Sequence, residues 1–198
     1  MKKMNKKLYL GAMILSLGML LLAICAAVAL AIAAMNQMVQ LPTAITFGIQ
    51  IFALGIFQFV VTNTFVTIFL IMRMWSVIQD GQARMTPGQA VGFLFVPFYN
   101  LYWIFQVWGG FQKDYNDYLN RYRMTVPPLP PGMYEAYPIL SILCLIPFLG
   151  ILVAPVGLFV FLSLISKTCD AVNNLLETDG QRRLTIPVSV QNPLMARS

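Results

Sequence analysis

The sequence has 198 residues, 59% of them hydrophobic and 10% charged, with a net charge of +6 and a mean hydropathy of +0.73. Soluble globular domains carry about 25% charged residues, so this composition excludes one and identifies a membrane protein. There is no histidine, which removes the commonest haem and metal ligand and the side chain best suited to moving protons near pH 7.

Lys2, Lys3, Lys6 and Lys7 open the chain, and no charged residue follows until Arg73. The first apolar run exceeds the ~7–15 residues of a secretory signal, and Ile24 stands before Cys25 where a lipoprotein signal needs a small residue. A retained anchor is therefore expected. The uncharged stretch is too long for one helix and divides at "MNQMVQLPT", where Asn36, Gln37, Gln40 and Pro42 supply a polar turn. About 20 apolar residues cross a ~30 Å hydrocarbon core, so four spans are expected: 8–34, 43–72, 88–111 and 138–166. The expected fold is an all-α polytopic membrane protein with two helical hairpins and kinked third and fourth spans. It forms a single domain over 1–178, with a flexible cytoplasmic tail at 179–198.

Within the first span Ala23, Ala27 and Ala31 form a smooth stripe suited to close helix contact. Gln50, Gln58, Asn63 and Asn100 are intramembrane amides of the kind that bridge helices. No ionisable group lies inside a span, which counts against an ion-driven transporter.

After the second span the chain reads "DGQARMTP" at 80–87, and after the fourth "DGQRRLTIP" at 179–187. Asp-Gly-Gln, Arg, Thr and Pro recur in the same order, as in an internal repeat. Each copy also reads as a helix end, with Gly81 or Gly180 in the left-handed conformation and a proline just beyond. A true repeat places both turns on one face and requires the third segment to cross.

The third span opens with "TPGQAVG", where Pro87 suits a helix start and Gly88 and Gly92 permit close approach of another helix. Pro97 removes a backbone hydrogen bond and predicts a kink that neighbouring helices or Asn100 help to satisfy. "FYNLYWIFQVW" adds Tyr99, Tyr102, Trp103 and Trp108, aromatics that either anchor at headgroup level or pack in the core. Beyond it, "QKDYNDYLNRYR" spaces Lys113, Asp117 and Arg121 for intrahelical ion pairs, beside a stripe of Tyr115, Tyr118 and Tyr122. Asp114 and Asp117, one turn apart, have a spacing that lets them share a cation or act as acid and base, but the sequence positions no third ligand or nucleophile beside them. "VPPLPPGMYEAYP" at 126–138 reads as an extended loop, and Pro147 and Pro155 predict a bent fourth span. Cys25, Cys144 and Cys169 give neither a disulfide framework nor a metal site.

Basic residues near spans stay cytoplasmic, which places the N-terminus inside. With four crossings both termini are cytoplasmic, and 10 of the 13 Lys and Arg lie inside; Lys113, Arg121 and Arg123 lie outside. A re-entrant third segment gives 9 against 4. The net charge suits anionic lipid headgroups rather than nucleic acid.

The run "WSVIQDGQARMTPGQAVGFLFVPFYNLYWIFQVWGGFQKDYNDYLNR", 75–121, resembles a family of uncharacterised bacterial multi-pass membrane proteins. They share a Trp, an IQDG-like turn, TPG-x-AVG, a PF-x-N-x-YW helix and a DYN ending. The resemblance implies a bacterial inner-membrane protein and supplies no catalytic residues, because the family is a domain of unknown function.

These features together predict a non-enzymatic accessory or scaffolding subunit with no cofactor, in contact with lipids and with a membrane-protein partner or further copies of itself. The alternative is a transporter or channel for a small or lipidic substrate, with a cavity at the Pro97 and Asn100 bend. The candidate binding or structural residues are Asp80, Arg84, Pro97, Asn100, Trp103, Asp114, Asp117 and Arg121.

Overall fold

A computed structural model describes residues 3–36 and 38–185, and these are helical with no strand among them. The elements are α1 (Lys6–Met35), α2 (Leu41–Val77), α3 (Pro87–Gly92) with a 3-10 turn at Phe93–Phe95, α4 (Tyr99–Arg121), α5 (Pro131–Leu143) and α6 (Leu149–Thr185). Three helical stretches are long and apolar enough to cross a membrane: α1, α2 and the Leu152–Thr178 part of α6. The described residues group into two compact units, those within 7–70 and those within 3–6 and 71–185.

In the first unit α1 and α2 run antiparallel. Asn63 Nδ2 donates to Ser16 Oγ at 3.3 Å and to the Phe59 carbonyl at 2.7 Å, so this amide bridges the helices. Gln58 instead stays on its own helix, donating to Thr62 Oγ1 at 3.2 Å. Ala23 faces Gly55 so closely that a Cβ added at Gly55 would lie 2.5 Å from that of Ala23. One part of the alanine stripe thus makes the expected close contact.

In the second unit the expected third span is not one helix. Pro97 offers no N–H, and the chain turns at once: the Tyr99 N–H donates to the Pro97 carbonyl at 2.7 Å and the Asn100 N–H to Val96 at 3.0 Å. Phe98 sits at φ +60° between them. The polypeptide doubles back, so that Trp103 Nε1 donates to the Ala90 carbonyl at 3.3 Å and the Phe93 ring lies 4.8 Å from that of Trp103. The expected kink is therefore a reversal.

The expected fourth span behaves alike. Helix α5 stops at Leu143 and α6 starts at Leu149, with Phe148 at φ +66°. The Leu149 N–H donates to the Pro147 carbonyl at 2.8 Å and the Gly150 N–H to Ile146 at 2.8 Å, the same two bonds as in the first turn. The arms then run side by side: the Tyr137 ring stacks on Phe161 at 4.8 Å, and the Tyr134 and Thr168 hydroxyls are 2.7 Å apart. Pro155, by contrast, lies inside α6 without ending it.

The internal repeat is thus helix, Pro-Phe turn, helix, carried by "VPFYN" at 96–100 and "IPFLG" at 146–150. Of the two DGQ copies, the first is a turn, with Gly81 at φ +85° and the Gln82 N–H held by Asp80 Oδ1 at 2.9 Å. The second lies within α6, which runs through Gly180 to Thr185, so it does not stop that helix. The remainder of the expected tail, 186–198, lies outside the described residues.

Three local expectations also change. Residues 131–138 of the proline-rich stretch are helical, because Pro131 takes a first-turn position where a missing N–H costs nothing. No described residue packs on Gly88 or Gly92, since a Cβ on either would meet nothing within 4 Å. Tyr115 of the expected interfacial stripe is buried core, as is Trp108, for which core packing is one of the two readings, together with Trp75, Phe111, Tyr134, Leu164 and Ile165. Trp75 fixes this core by donating from Nε1 to the Val107 carbonyl at 3.3 Å.

Candidate functional site

Two ion pairs of the second unit join the segment before α3 to α4 at the root of the first hairpin. Arg84, in the segment between α2 and α3, meets Asp114 on α4 twice: its Nε lies 2.8 Å from Oδ1 and its backbone N–H donates to Oδ2 at 2.9 Å. The Asp114 side chain is 9% exposed. Arg84 Nη1 also reaches Gln106 at 3.4 Å, and Gly110 makes room for the guanidinium, since a Cβ there would approach it to 3.3 Å.

Asp80 is shielded in the same way, its side chain 6% exposed. Arg121, at the end of α4, donates to Asp80 Oδ2 from Nη2 at 2.8 Å and from Nε at 3.2 Å. Burial alone would raise the Asp80 carboxyl, but the Gln82 N–H and the Arg121 guanidinium outweigh it and hold the group below its ordinary value of 3.8. Arg121 therefore pairs across the fold with Asp80 rather than along its helix with Asp117. Asp117 is exposed, whereas Asp114 is occupied by Arg84. No group of three or more metal-ligating side chains forms among the described residues.

The other candidates sit at the first hairpin's tip. Pro97 makes the turn. Trp103 ties its arms together and stacks on Tyr99 at 5.4 Å. Asn100 lines a cavity of about 180 Å³ between the two tips, with Leu94, Leu101, Ile104, Ser141 and Ile142. The eight candidates thus divide into a charged root, with Asp80, Arg84, Asp114 and Arg121, and an aromatic tip, with Pro97, Asn100 and Trp103; Asp117 belongs to neither.

A second polar recess of about 250 Å³ lies at the root, lined by Arg84, Gln106, Lys113, Tyr134 and Glu135 among others. Several of the residues that shape this region carry no sequence motif. Gln112 Nε2 and Asn116 Nδ2 both donate to the Leu129 carbonyl, at 2.9 and 3.0 Å, and the Leu129 N–H returns to Asn116 Oδ1 at 2.8 Å. The Tyr115 hydroxyl donates to the Ala171 carbonyl at 3.1 Å, and burial raises the phenol above its usual range. At the other end of the chain, the Met4 N–H donates to Asn173 Oδ1 at 2.6 Å and Asn173 Nδ2 donates to the Met4 carbonyl at 2.9 Å. Lys6 pairs with Asp170 and Lys3 with Glu177, both at 2.6 Å. Only the i, i+4 spacing of Gln112 and Asn116 on one helix face could have hinted at the first of these.

No family model matches the chain, and neither does any curated protein or solved structure.

Proposed function

We propose that the protein is a non-enzymatic accessory or scaffolding subunit of a bacterial inner membrane, with a cytoplasmic N-terminus, that packs against the helices of another membrane protein or of further copies of itself. One observation carries the reading. The small-residue stripe of α1 is used against Gly55 only at Ala23; beyond it an apolar groove of about 430 Å³ opens, lined by Ala27, Ala31, Met35, Ala44, Gly48 and Phe52. Small residues at a groove floor let another backbone approach closely, which is how helices associate in lipid. The engagement of Asp80 and Asp114 by arginines supports a structural role for these carboxylates.

Gentle detergent extraction, co-purification and mass spectrometry test the proposal, alongside Ala31→Leu, which fills the groove floor. A membrane partner or self-association that the variant loses at least tenfold is expected. A strictly monomeric protein without partners overturns it.

The cavity between the hairpin tips favours one second reading, a transporter for a small solute, because Asn100 and Ser141 supply polar groups to an otherwise apolar site. Solute flux into proteoliposomes that Asn100→Leu abolishes would decide for it.

A further inference from the structure

The hairpin dimensions and the placement of charge lead beyond this reading. We infer that both Pro-Phe hairpins are re-entrant: they enter the bilayer from the side of the charged roots, seat Phe98 and Phe148 in the hydrocarbon of that leaflet, and return without crossing.

Length is the first argument. An α-helix rises 1.5 Å per residue, and a span needs ~30 Å of hydrocarbon thickness. The entering arm of the first hairpin is α3, 6 residues, with a 3-10 turn of 3 residues, about 15 Å in all. That of the second is α5, 13 residues and about 20 Å. The Arg84–Asp114 and Tyr134–Thr168 contacts bring the two ends of each hairpin together, so each returns to the side from which it entered, even though α6 from Leu149 to Thr168 is about 30 Å long.

The tips themselves are the second argument. Phe98 is 89% exposed and Phe148 85%, and Phe95, Val96, Leu145 and Ile146 around them are exposed as well. Residues next to both turns line one cavity, so the two tips lie at the same end of the unit. No charged residue occurs at 86–112 or 136–166. Hydrocarbon accepts a non-helical turn only if its backbone is satisfied internally. Here both prolines lack an N–H, and the N–H groups of Val96, Tyr99, Asn100, Ile146, Leu149 and Gly150 are all bonded within their turns.

Charge supplies the third. All 13 Lys and Arg fall before Leu8 or after Met72. If α1 and α2 cross and neither hairpin does, every one of them shares the side of the N-terminus, a stronger bias than the 10 against 3 of four crossings. The occupant of the apolar tips is thus the inner leaflet, whose anionic headgroups face the root cations Arg84 and Lys113.

Single cysteines read by a membrane-impermeant maleimide, in sealed vesicles of both orientations, test this. The background carries Cys25→Ala, Cys144→Ala and Cys169→Ala. Met38→Cys, in the α1–α2 turn, should label from one side, and Asn120→Cys and Glu135→Cys only from the other. Phe98→Cys and Phe148→Cys should label from neither until detergent is added. Labelling of Asn120→Cys or Glu135→Cys from the Met38 side means that the hairpins cross, and overturns the inference. Labelling of either tip from any side without detergent means that it does not sit in lipid, and overturns it equally. These five positions are exposed, so no packing is lost. Native Cys144, exposed beside the second tip, repeats the measurement in protein carrying only Cys25→Ala, since Cys169 is buried.

Discussion

Asp80 and Asp114 are each shielded from solvent and each held by an arginine from a distant part of the chain. Because the folded Asp80 carboxyl titrates below its ordinary 3.8, its contribution to stability is complete above that value and is lost as the pH falls through the folded value. The melting midpoint of the wild-type protein should therefore drop as the pH goes below about 3.8, and Asp80→Asn should flatten that limb, as read by thermal unfolding in detergent. Asp114→Ala removes the partner of both an N–H and a guanidinium, and a cost of about 1–3 kcal/mol is expected. Lys3→Gln breaks an exposed pair and should cost less than about 1 kcal/mol. Parallel melts of the two variants check the order; equal losses would contradict it. The candidate residues were legible in the sequence as charged and polar positions, but their partners were not: the i, i+4 spacing pointed Arg121 to Asp117, whereas the structure gives it to Asp80 across the fold.

At the scale of elements, Gly150 permits the second reversal. A Cβ there would lie 2.5 Å from the Cys144 carbonyl oxygen, a backbone atom that cannot swing aside. Gly150→Ala should destabilise the α5–α6 hairpin by about 1–3 kcal/mol, as overpacking does, and amide exchange in Leu143–Leu152 should speed up while α1 and α2 stay protected. In the proline-rich stretch, Asn116 grips Leu129 in both directions. Asn116→Ala should expose residues 122–130 to limited proteolysis, with a cleavage rate at least several-fold higher. The charge-free run and its polar turn locate α1 and α2 well, because such a run has one reading in lipid. Pro97 and Pro147 are not decided in this way, because a proline in an apolar helix predicts a kink or a stop equally well. What decides between them is the positive φ of the following phenylalanine, a conformation that Phe seldom adopts and no propensity foretells. The parallel between "VPFYN" and "IPFLG", rather than the DGQ similarity, is the sequence signal that marks both reversals.

At the scale of the whole molecule, the N-terminal segment is fastened to α6. Lys3, Met4 and Lys6 engage Glu177, Asn173 and Asp170, and the two exposed ion pairs contribute less than the reciprocal Met4–Asn173 bonds. Such pairings lie beyond the reach of any sequence pattern, since nothing local marks residue 4 as the partner of residue 173. Their placement also bears on synthesis. Each Pro-Phe hairpin closes over a short loop and can form as soon as it leaves the ribosome, whereas the Met4–Asn173 bonds join residues 169 apart. Residue 4 must wait for residue 173, so a chain interrupted before α6 is made carries its Lys3–Lys6 segment unfastened, a state that cellular quality control could distinguish from the folded protein.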